Sequence, residues 1–186
     1  MSSLNPNLSS PFSFPDADRT ILVTHEGQLV VGQVSSAAMS RASPVWKKFI
    51  TPPFSRLVPT SRSETPTSEF SSAESITSED DSEALLILLK IAHVQFANIP
   101  TKLPFDKLLA VAVLVDLYDC VELIMPWVQS WVADEATESM KDGQESWLFI
   151  AWVFGREEVF VNLAGALSRK LDAKAEEKFW LARYPL

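Results

Sequence analysis

Strands first and helices afterwards predict an α+β fold, a small antiparallel sheet set against a helical cluster. Three observations carry this expectation. Two β-branched runs flank Gly27 near the start, and the run from Ala84 to Val94 is apolar on nearly every side. Everything after Pro104 repeats its apolar residues with helical spacing. The 186 residues suit one compact domain with an extension, and an apolar fraction of 47% is enough to bury a core.

The N-terminal stretch, residues 1–15, is rich in Ser, Pro and Asn and is expected to be a disordered tail. Thr20–Thr24 and Gln28–Val31 then form a hairpin, with Gly27 in the turn because glycine tolerates positive φ. Ser35 is placed to cap a short helix containing Ala37, Ala38 and Met39. Ser43-Pro44 is a sharper start signal, since a proline at the first helical position lacks only an N–H that would be unpaired anyway. That second helix carries Val45, Trp46, Phe49 and Ile50, has Lys47 and Lys48 toward its end, and stops at Thr51-Pro52-Pro53.

Residues 55–75 have the Ser/Thr-rich composition of a flexible loop, with one strand expected near Glu74–Thr77. Asp80 and Glu83 have capping-box spacing for the next helix, and Leu85–Leu89 with Ile91 make it the expected centre of the core. Pro104 starts a helix through Phe105, Leu108, Leu109, Ala112, Val113 and Leu117. A further helix over about 119–132 places Cys120, Leu123, Ile124, Trp127 and Trp131 on one face, with Pro126 expected to kink or split it. After Gly143 come two amphipathic helices, one with Trp147, Ile150, Ala151 and Phe154 and one with Phe160, Leu163, Ala164, Leu167 and Leu171. A short helix and a frayed end are expected over 172–186.

Chemistry is sparse. The net charge is −8, from 16 Lys plus Arg against 24 Asp plus Glu, without a basic run, so phosphate backbones and anionic membranes are poor partners. The only histidines are His25 and His93, and the only thiol is Cys120; no spacing matches a zinc site. The five glycines are scattered, so no phosphate-cradling loop is formed, and no His is placed to activate a serine. No catalytic residue, cofactor or metal ligand is assigned, and an enzyme is not expected. A single cysteine, and a start that is not a signal peptide, predict an intracellular protein of the cytoplasm or nucleus. Five of the six tryptophans lie in the last third, where they either fill gaps between helices or line an exposed patch.

Asp18-Arg19-Thr20-Ile21-Leu22-Val23, followed by Val34-Ser35-Ser36-Ala37-Ala38-Met39-Ser40-Arg41-Ala42-Ser43-Pro44-Val45-Trp46-Lys47-Lys48-Phe49, resembles the opening of a BTB/POZ domain. Met39 falls at that family's leucine position, Ser43-Pro44 at its Ser-Pro, and Trp46 and Phe49 at its aromatic positions. The segments Glu79–Leu85, Leu114–Glu122 and Pro126–Val132 resemble later parts of the family, and the ordered set is similar to the short BTB proteins of filamentous fungi. The family's usual His is replaced here by Ser35. The resemblance implies a BTB/POZ-like domain over 16–133, with a helical extension over 134–186.

The resemblance also implies a non-enzymatic docking or scaffold protein that holds other proteins, with weak pairing to itself or to another BTB protein at most. Ser36, Ser40, Lys47 and Lys48 point away from the apolar stripe and are candidate partner contacts. The hydrophobic-x-Glu motif used to recruit Cullin-3 is not found between Ile50 and Ile76, so Cullin-3 is not an expected partner. Thr65 and Ser78 have the local character of phosphoacceptors. Two alternatives remain at this point: an apolar-ligand carrier built from the Trp-rich helices, and a recruited subunit of transcriptional regulation.

Overall fold

The computed structural model describes residues 10–50, 81–141, 143 and 145–183, with side chains through Asp172. The fold is α+β: a two-stranded antiparallel sheet and, among the described residues, eight α-helices. Strands β1 (Arg19–His25) and β2 (Gln28–Val34) pair from Arg19 opposite Val34 to His25 opposite Gln28. The two turn residues, Glu26 and Gly27, have φ of 51° and 74°, as a two-residue type I′ turn requires.

Residues 10–15, expected to belong to a disordered tail, are instead held against the sheet. Residues 1–9 lie outside the described residues, but from Ser10 the chain lies against β2. Phe14 N–H donates to the Gln33 carbonyl and Gln33 N–H to the Phe12 carbonyl, each at 2.9 Å. Phe12 and Phe14 are both buried. A polar, proline-rich average over the segment hides this Phe-x-Phe pair, which anchors residues 10–15 in the core. Gly32 makes the approach possible: a Cβ there would sit 2.7 Å from the Phe12 Cβ and 2.8 Å from the Ile21 Cγ1.

Helices α1 (Ser36–Ala42) and α2 (Pro44–Ile50) follow directly. Ser35 caps α1 by accepting from Ala38 N–H, and the buried Ser43 accepts from Trp46 N–H at the start of α2. The expected strand near Glu74–Thr77 and the 55–75 loop lie outside the described residues. Helix α3 (Ser82–Ala92) is capped one residue later than expected. Asp81 accepts from Glu83 and Ala84 N–H at 3.1 and 3.0 Å, so the cap is Asp81 rather than Asp80. Ala84, Leu85, Leu88, Leu89, Ile91 and Ala92 are buried, which makes α3 the centre of the core.

A 3-10 turn at Phe96–Asn98 leads to α4 (Phe105–Leu117) and α5 (Val121–Trp131). Helix α5 runs unsplit through Pro126, whose exposed position leaves the carbonyl it cannot donate to within reach of water. The short α6 (Glu135–Glu138) precedes α7 (Trp147–Val153) and α8 (Glu157–Arg183). Helix α8 is one continuous 27-residue element where two shorter pieces were expected. No helix among the described residues is long and apolar enough to cross a membrane.

Helices α3, α4 and α7 end in the same hydrogen-bond pattern. Gln95 N–H reaches the Lys90 carbonyl, Cys120 N–H the Val115 carbonyl and Arg156 N–H the Ala151 carbonyl, over a left-handed Val94, Asp119 and Gly155. This six-to-one closure normally selects glycine. Valine, a β-branched residue at φ 63°, is the exception that stands out.

Candidate functional site

The surface of α4 departs from the rule that exposed helices are polar outside. From Leu108 to Val115 the helix is apolar all round, and such a helix is normally enclosed. Leu108, Val111, Ala112, Leu114 and Val115 face the core, against α3 and α7. Leu109, Val113 and Leu117, spaced by four residues, form a second apolar row on the outer side. Leu109 is half-buried, while Val113 and Leu117 are 46% and 55% exposed. The row spans about 12 Å of helix at 1.5 Å per residue.

Its surroundings are acidic. Asp106, Asp116, Asp119 and Glu122 are exposed. The one cation from Phe105 to Glu122, Lys107, is held by Asp81 at 2.9 Å and Glu83 at 2.7 Å. Hydrogen bonds to Glu83 and Asp81 raise the Lys107 pKa. Burial alone would raise the Asp81 pKa, but bonds from Ala84 N–H and the Lys107 ammonium outweigh it and leave the carboxyl lowered. Asp116 also sits in the last turn of α4, where the helix dipole favours cations and no basic residue is present. The end is firmly placed, because the buried Ser43 hydroxyl donates to the Tyr118 carbonyl and Trp46 packs on Tyr118 with ring centroids 5.1 Å apart.

A second exposed apolar group lies past α3. Val94 is 65% exposed, and the half-exposed Phe96 packs on Trp127 at 5.4 Å. Trp131 continues from Trp127 and donates to the Pro100 carbonyl at 2.7 Å, so these tryptophans are largely structural.

The residues singled out from sequence fall in different places. Ser36 is engaged: its N–H and hydroxyl both donate to the Asp18 carboxylate at 2.6 Å, and these bonds hold the Asp18 pKa down. Ser40 is half-buried, whereas Lys47 and Lys48 are exposed beside the 56%-exposed Phe49. Thr65 and Ser78 lie outside the described residues. Val113 and Leu117, named from sequence only as apolar residues of their helix, face out. Periodicity could not choose between two apolar rows on one helix; the signal was that Asp106 and Asp116 border only one of them.

The histidines are structural ties. His93 Nε2 accepts from Ser35 N–H at 2.9 Å, so Nδ1 carries the proton and donates to the Leu89 carbonyl at 2.8 Å; its ring stacks on Phe14 at 4.2 Å. Burial lowers its pKa, against the opposing bond to Leu89. His25 shares a 2.8 Å bond with the Ser82 hydroxyl. Burial, with Asp119 adding to it, pushes the Cys120 thiol up to about 12, a poor nucleophile. Among the described residues no three His, Cys, Asp or Glu side chains are grouped as metal ligands would be. A cavity of about 30 Å³ lined by Met140, Leu163, Leu167 and Lys170 has room for a water or two, against roughly 300–1,000 Å³ for a small-molecule site.

Comparison of the chain with protein-family models, with curated proteins and with solved structures gives no match.

Proposed function

We propose that this chain is a docking protein that holds other proteins on the outer face of α4, in a BTB/POZ-like frame. The observation that carries the reading is the outer row of half-buried Leu109 with exposed Val113 and Leu117, on a helix whose opposite side is already buried. An apolar row of this kind beside acidic groups has the composition of a recognition surface, with an apolar centre and a polar rim. The frame is supported by the order of a hairpin, a short helix pair and a helical cluster, and by the Asp18 carboxylate joining the start of β1 to α1.

The test is a photo-crosslinking residue at position 117 in the full chain, inside its native cells, with the exposed Leu29 as the control position. Docking predicts discrete protein adducts from position 117 and none shared with position 29. Adducts absent at 117, or identical at both positions, would remove the reading.

A further inference from the structure

We propose that the partner element seated on α4 is an amphipathic helix whose apolar stripe is bordered by Lys or Arg. This deepens the docking reading and rests on it. The outer row repeats every four residues, so it presents a ridge whose natural complement is the groove beside a similar ridge on another helix. An extended peptide would bring a period of two and could match only part of such a row.

The border decides the charge. Asp106 lies in the first turn of α4 and Asp116 in its last, and Asp119 and Glu122 follow its end. Lys107 is already committed to Asp81 and Glu83 and cannot neutralise them. Asp116 opposes the α4 dipole, whereas Asp119 and Glu122 stand at the N-terminus of α5, whose dipole favours them. A cationic partner relieves the opposition at Asp116: its charge lies close to both the carboxylates and the negative helix end. Electrostatic complementarity of this kind selects orientation and speeds encounter. An acidic helix would meet uncompensated repulsion at the same place. Anionic lipid is disfavoured for the same reason.

The probe is a synthetic helical peptide of about 18 residues, long enough to hold a helix, with Leu at heptad spacing and Lys on both flanks. Its counterpart carries Glu on the flanks. Binding to the full chain is followed by fluorescence anisotropy at low and high salt, and the site is mapped by hydrogen exchange. The Lys-flanked peptide is expected to bind at least about tenfold more tightly than the Glu-flanked one, and to protect α4. Val113→Ser with Leu117→Ser should abolish binding. Asp116→Asn with Asp119→Asn should weaken it about tenfold and flatten its salt dependence.

Equal binding of the two peptides, or binding untouched by either double variant, would overturn the proposal. A chain that yields adducts at position 117 but binds neither peptide would overturn the helix and charge assignment while leaving docking itself intact. Light scattering that shows the wild-type chain dimeric and the Val113/Leu117 variant monomeric would instead assign the face to a second copy. Circular dichroism of each variant confirms the fold, which these exposed positions do not hold together.

Discussion

His93 shows how one side chain can join three parts of a chain. Its ring bonds to Ser35 N–H and the Leu89 carbonyl, and it stacks on Phe14. The bond to Ser35 needs an unprotonated Nε2. Burial lowers the folded-state pKa below 6.5, so as pH falls through 6.5 the unfolded chain takes up the proton first. Stability is therefore complete above that pH and declines below it. Urea unfolding across pH 5–8 should show this decline in the wild type and a reduced pH dependence in His93→Gln. Val94 offers a second residue-scale test. A left-handed β-branched residue is strained by roughly 1–2 kcal/mol, and Asn is a natural occupant of this cap position. Val94→Asn should raise stability by about 1 kcal/mol, measured as a higher urea midpoint at constant slope.

At the scale of elements, the short segment before β1 belongs to the core. Phe12 is fully buried beside Gly32, and Phe12→Ala should cost about 3–5 kcal/mol in chemical unfolding. Glu135 fixes the junction of α7 and α8 to α6. Its Oε2 takes two bonds from Arg156, at 2.8 Å from Nε and 2.7 Å from Nη2, while Glu135 itself is buried. Glu135→Ala should destabilise by about 2 kcal/mol and speed amide exchange in α7 before α3. The limits of sequence reasoning are also set at this scale. The hairpin turn and the Ser43-Pro44 helix start were legible, because each is decided by two or three adjacent residues. The tie from His93 to Ser35 was not, since its partners lie 58 residues apart. Likewise Glu135 and Arg156 are separated by 21 residues, and neither has a local motif to announce the other.

Across the whole molecule, α3 supplies the apolar centre while α4 serves two masters, the core on one side and the proposed partner on the other. That division was only half legible. The apolar content of α4 is obvious from the chain, but its direction depends on packing against α3 and α7. A helix apolar on both sides has no amphipathic period from which to read an inner face. Asp116, in the last turn of α4, goes against the dipole preference and is the local irregularity on which the proposed recognition surface rests.

Exchange of Val113 and Leu117 for glutamate places charge at the middle and end of this row without reaching the buried side of α4. Tagged wild-type and variant chains, purified in parallel from native cells and compared by quantitative mass spectrometry, test the docking face most directly. The account predicts that the variant keeps the wild-type unfolding midpoint but loses the proteins retained by the wild type. Identical sets of retained proteins from the two equally folded chains would contradict it.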